Sequence, residues 1–180
     1  KQMKMKEMNK MNTKKNRRFC LFPIMLLLLG LLFTGCGFSN KQTVKSEDMQ
    51  IELPRDFQKS TMADTSWYYK SMNGPEALGI RTKKSDLEKM GFESDSVNDY
   101  VTSYIKANEI QGNPVVESKN NYLTFTYSKK VNGTKYSYVY YIFENGDEYW
   151  LVSFSCYADV LKEYQKTFDA AAKSVEFVEE

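Results

Sequence analysis

The residues of this chain best able to do chemistry are a serine and a lysine three apart, five carboxylates in one stretch, and a cysteine in an apolar run. Ser103 and Lys106 have the spacing that puts a hydroxyl nucleophile and an amine base on one helical face, the chemistry of acyl transfer. The further motifs that such enzymes carry do not follow, so Ser103-Tyr104-Ile105-Lys106 reads as one turn of an amphipathic helix. Asp86, Glu88, Glu93, Asp95 and Asp99 are the densest acidic group. They lack the glycine and the ligand spacing of a calcium-binding loop and read as acids at helix entrances, where the helix dipole favours them. Paired carboxylates are the one enzyme chemistry the residue types leave open, as in glycoside hydrolysis. Cys156 sits in Trp150-Leu151-Val152-Ser153-Phe154-Ser155-Cys156 and reads as a buried structural thiol. The chain has no histidine, which removes the commonest general base and the commonest transition-metal ligand. No catalytic residue, cofactor site or metal site is assigned on this basis.

The stretch that organises the rest is Phe33-Thr34-Gly35-Cys36. It resembles a bacterial lipobox, with Phe33 where Leu is usual. Residues 1–35 hold eight Lys and Arg against one acid, Glu7, and an apolar run from Phe19 to Phe33 is broken by Pro23 and Gly30. That run is shorter than the roughly 20 residues a spanning helix needs. A basic start, a short apolar middle and a small-residue end form an export signal. The resemblance implies lipidation of Cys36 by diacylglycerol, with palmitate-type chains, and cleavage just before it. Two acyl chains hold a protein stably to a membrane.

Beyond Cys20 and Cys36, only Cys156 is left, so a chain cut before Cys36 has no internal disulfide to form. Of 25 Lys and Arg and 23 Asp and Glu overall, 17 and 22 lie beyond residue 35. The remaining 145 residues are therefore net acidic by five charges, which argues against nucleic acid as a partner. Their length suits one domain.

Gly37 to Asp48 is polar and without periodicity and reads as a tether, so residues 36–48 are taken as lipidated cysteine and linker and 49–180 as the domain. Strands are expected over 49–53, 65–70 and 77–82, with a turn at Asn73-Gly74-Pro75. Ser85-Asp86-Leu87-Glu88 has the spacing of a capping box, closed by Gly91. Val97, Tyr100, Val101, Tyr104 and Ile105 recur at helical spacing behind Ser96 as cap. A meander follows over 115–119, 122–128, 134–143 and 149–157, punctuated by Asn120-Asn121, Asn132-Gly133 and Asn145-Gly146. Within it Tyr136, Tyr138, Tyr140 and Ile142 share one face, with Val139, Tyr141 and Phe143 opposite. Strands apolar on both faces must be covered on both. A last helix from about Asp159 to Ser174 supplies the second cover. The expected fold is α+β, a central antiparallel sheet with helices on both faces.

The order of these elements, with Leu53-Pro54, Phe57, Asp99-Tyr100, Tyr149-Trp150-Leu151-Val152-Ser153-Phe154 and Lys173-Ser174-Val175-Glu176-Phe177, resembles the PsbP-like family over 48–178. That family includes an extrinsic photosystem II subunit, a nuclear-import factor and bacterial lipoproteins. The resemblance implies an α/β/α sandwich and a non-enzymatic accessory or binding role, with no particular partner. Joined to the lipid anchor at Cys36, it leads to the expectation of a module on the extracytoplasmic face of a cell membrane that engages an envelope protein. The thirteen tyrosines, all beyond Cys36, leave open a small ligand or cell-wall sugar instead.

Overall fold

The structure is a computed structural model that describes residues 40–92 and 95–178; Phe33 to Cys36, the signal before them and Glu93 lie outside the described residues. The first described element corrects an expectation. Within the polar stretch read as a tether, Lys41–Ser46 is a strand, β1, paired antiparallel with β2 (Met49–Pro54). Its sequence carries one buried apolar residue, Val44, so periodicity does not reveal it. What holds it is tertiary. The turn joining the two strands carries Asp48, which accepts hydrogen bonds from the Trp150 indole at 3.2 Å and Asn145 at 2.6 Å. It also carries Glu47, bound by Arg81. A two-residue strand, β10 (Glu176–Phe177), pairs with the other side of β2.

The main sheet has seven strands. They are β3 (Phe57–Ser60), β4 (Trp67–Ser71), β5 (Glu76–Lys83), β6 (Glu117–Ser118), β7 (Leu123–Val131), β8 (Thr134–Asn145) and β9 (Glu148–Tyr157). Their spatial order is β3-β4-β5-β9-β8-β7-β6, and every pairing is antiparallel. β3 lies where the sequence pattern leads to no expected strand. Asn132 and Gly133 both have positive φ between the partners Val131 and Thr134, the conformation a tight right-twisted hairpin demands. The next hairpin turns one residue later than Asn145-Gly146 suggests, because Asn145 still pairs with Glu148 and Gly146-Asp147 makes the turn.

Three helices accompany the sheet: α1 (Lys84–Lys89), α2 (Val97–Ala107) and α3 (Leu161–Lys173). α2 is capped as its sequence suggests, Ser96 accepting from the Asp99 amide and donating to the Asp99 carboxylate at 2.6 Å. α1 starts two residues earlier than the Ser85 box would place it. Lys83 is its cap, and no side chain serves the role. It ends on Gly91 at φ +79°, with the Phe92 amide reaching Leu87 and the Gly91 amide reaching Glu88, a doubly bonded C-terminal lock. Asp159 likewise does not cap α3, which starts after Val160.

Period-two alternation sorts β8 and β9 into two cores. Val139, Tyr141, Phe143, Trp150, Val152 and Phe154 face α3 and the small sheet, with Phe154 stacked on Phe168 at 4.6 Å. Tyr140, Ile142, Tyr149 and Leu151 face α1 and α2. The domain is α+β, an antiparallel sheet with helices on both faces, as the patterning requires. Among the described residues no helix is long and apolar enough to cross a membrane.

Candidate functional site

The site begins with a mismatch of lengths. α2 covers only part of its face of the sheet. Tyr100 stacks on Tyr149 at 4.7 Å, and one turn later Tyr104 meets Tyr140 at 5.5 Å. Past Tyr104 the strands run on without a helix above them. Register places two rows of side chains there. One row crosses five strands as Tyr68, Leu78, Ser153, Tyr140 and Phe125. The next runs Lys70, Glu76, Ser155, Tyr138 and Tyr127. Ser153 and Ser155 are short residues on the central strand, between Leu78 and Glu76 on one side and Tyr140 and Tyr138 on the other. They form the floor of a groove of about 490 Å³. Its rim holds Met62 and Tyr157, 43% and 47% exposed, and Val131.

The walls are rigid. Tyr127 stacks on Tyr138 at 5.1 Å, and the Lys129 ammonium lies 5.2 Å from the Tyr138 ring centre. Glu76, the one carboxylate among the described lining residues, is paired with Lys70 at 3.1 Å. Lys70 in turn lies over Tyr68, and its hydrogen bonds to Tyr68 and Glu76 raise its pKa. Burial raises the Tyr104 and Tyr138 phenols and, most strongly, Tyr140. The groove at neutral pH therefore offers neutral hydroxyl donors and acceptors on aromatic walls. The one carboxylate beside its serines, Glu76 opposite Ser155, is held by its lysine counterion Lys70. The arrangement suits binding rather than proton transfer.

Of the residues singled out in the sequence, Tyr104, Tyr136, Tyr138 and Tyr140 line this groove, and Gly74 borders it. A Cβ placed there would sit 3.6 Å from the Tyr157 ring. Cys156 meets the groove from the opposite face of β9, its thiol buried toward α3 and its pKa pushed up to about 11 by burial. Ser103 and Lys106 lie on α2 outside the groove, and no acyl-transfer centre forms around them. Asp86 pairs with Lys89 at 2.8 Å, and Asp99 is engaged with Ser96. Asp86 lies in α1 and Asp99 in the first turn of α2, at the end away from Tyr104, and none of the described acids of the stretch lines the groove. No cluster of three or more potential metal-ligating side chains occurs among the described residues. The signal of the floor in the sequence is two serines, Ser153 and Ser155, at alternate positions of an otherwise apolar strand.

No protein-family model and no curated protein matches this sequence. Solved structures do. The Ran-binding protein Mog1p of Saccharomyces cerevisiae is 10% identical, with a TM-score of 0.53 over 78% of this chain and 96% of that one. A protein of Bacteroides thetaiotaomicron is 11% identical at a TM-score of 0.54; the match covers 78% of this chain but 49% of that one, so this chain spans about half its length. Cyanobacterial PsbP from Synechocystis is 15% identical over 79% and 95%, with a TM-score of 0.44. The fold is thus the Mog1/PsbP-like one, mixed α+β with antiparallel sheets.

Proposed function

We propose that this chain is a non-enzymatic binding module, held to the extracytoplasmic face of a cell membrane through lipidated Cys36, which engages a protein partner through the tyrosine-walled groove. The observation that carries the reading is the uncovered sheet face beyond Tyr104, rimmed by exposed Met62, Val131 and Tyr157. Exposed apolar side chains gathered around one concavity mark interaction surfaces. That the similarly folded Mog1p is a Ran-binding protein is consistent with a protein partner for this fold. The anchor rests on the lipobox resemblance, and Cys36→Ala should abolish fatty-acid labelling of the chain.

A second reading has its own support. The groove's volume falls in the range of small-molecule sites, and serine and tyrosine hydroxyls line it, as a sugar would need. Photocrosslinking in cells separates the two. A crosslinker at Tyr157 on the rim is expected to give one defined protein adduct, and one at Met90 on the far side of α1 none. A chain that gives no protein adduct from the rim, yet binds a cell-wall sugar, takes the second reading.

A further inference from the structure

The groove runs out to an open sheet edge. β6 pairs with β7 only at Leu123 and Thr124, so from Phe125 to Val131 no described strand lies on the outer side of β7. Hairpin register tells which backbone groups this leaves. Val131 and Thr134 flank a two-residue turn and so exchange both ladder hydrogen bonds. Alternation then turns the N–H and C=O of Thr126, Ser128 and Lys130 outward. The same parity holds at Thr124, opposite Glu117 of β6, and at Tyr122, whose carbonyl accepts from the Lys119 amide. Charge adds a second fact. Lys129, Lys130 and Lys135 are exposed at the hairpin tip, and none forms an ion pair with another described residue.

Resting on the protein-partner reading, we infer that the groove's occupant is an extended acidic segment of that partner, which adds to the outer edge of β7 as a further strand. Its alternate apolar side chains turn toward Tyr127 and the groove. Its acidic side chains lie on the other face, beside Lys130 with Lys135 behind it. Main-chain bonds to an edge strand supply affinity, and pockets for alternate side chains supply specificity. Asp169 borders the same shallow depression as Thr126, which confines the acids to the hairpin end.

The test selects phage-displayed random peptides on the full chain in detergent micelles, then measures the selected peptides on variants. Thr126→Pro removes an outward N–H and leaves the β7–β8 ladder whole, as edge strands tolerate. Lys130→Pro does the same two outward positions further along, should Thr126→Pro move the unfolding midpoint. Expected are peptides alternating acidic and apolar residues, weakened about tenfold or more by either proline. Lys130→Glu should also weaken them, with binding restored to peptides whose acids are changed to lysine. Selected peptides that ignore both prolines but are lost on Ser155→Trp overturn the edge inference and leave the groove reading intact. Peptides indifferent to all of these, or none selected, overturn both. Self-association of the chain that Thr126→Pro abolishes would assign the edge to a second copy and overturn the inference.

Discussion

The indole of Trp67 lies flat against Gly79, its partner across the β4–β5 pair, so closely that a Cβ on Gly79 would overlap Nε1 and stand 2.8 Å from Cζ2. Trp67 is buried, and Nε1 has no hydrogen-bond partner among the described residues. The glycine is thus required by a neighbour, not by its own backbone angles. Gly79→Ala is expected to cost about 1–3 kcal/mol in urea unfolding, the usual range for overpacking. On a Trp67→Leu background the same change should cost much less, since the two residues act as a pair. Equal costs on both backgrounds would refute the packing argument.

Stability should fall at alkaline pH. Burial pushes the Tyr100 phenol up to about 12, with the Thr82 hydroxyl opposing the shift, and pushes Tyr140 and Tyr141 higher still. For Tyr141 the Asp169 carboxylate, which accepts its hydroxyl at 2.6 Å, adds to burial. Below about pH 10 folded and unfolded chains both keep these protons. Above it the unfolded chain loses them while the folded chain holds them, so each pH unit favours unfolding. The urea midpoint should begin to fall near pH 9, where the Cys156 thiol of the unfolded chain ionises while burial holds the folded one, and fall more steeply from about 10 to 12. A midpoint level through pH 12 would contradict the assigned burial.

Much of this fold is legible in particular residues. Tyr136 to Phe143 and Trp150 to Cys156 alternate cleanly, and the two cores follow from that alternation. Ser96 with Asp99, and Asn132 with Gly133, act locally and do what their types suggest. What stayed hidden depends on distant partners. β1 is a strand because Asp48 meets Trp150 and Asn145, and Lys41-Gln42-Thr43-Val44 carries no sign of that. Ser85 and Asp159 look like caps, but the helices start after Lys83 and after Val160, and neither of those residues caps with its side chain. The groove was the least legible feature, because it depends on where α2 stops relative to strands on both sides of it in sequence, β5 before it and β8 and β9 after it.

Cys156 should be inert in the folded protein. It is 2% exposed, and burial, with Asp159 adding to it, raises the thiol to about 11. At about pH 8 a disulfide-forming reagent is expected to modify it only once denaturant is added, because the thiolate is the reacting form. The measurement uses Cys36→Ala, Cys20→Ala to leave one thiol. Stoichiometric labelling without denaturant would contradict the core placement.

Filling the groove floor tests the central claim most directly. Ser155 lies between Glu76 and Tyr138 and is half-buried, so an indole in its place would occupy the groove rather than the core. The measurement is the yield of protein adduct from the Tyr157 crosslinker in cells, with and without Ser155→Trp, alongside the urea midpoint of each chain. The adduct is expected to disappear while the midpoint stays within about 1 kcal/mol of the parent, as for changes outside a core. An adduct that persists undiminished with the groove filled would contradict binding through this site.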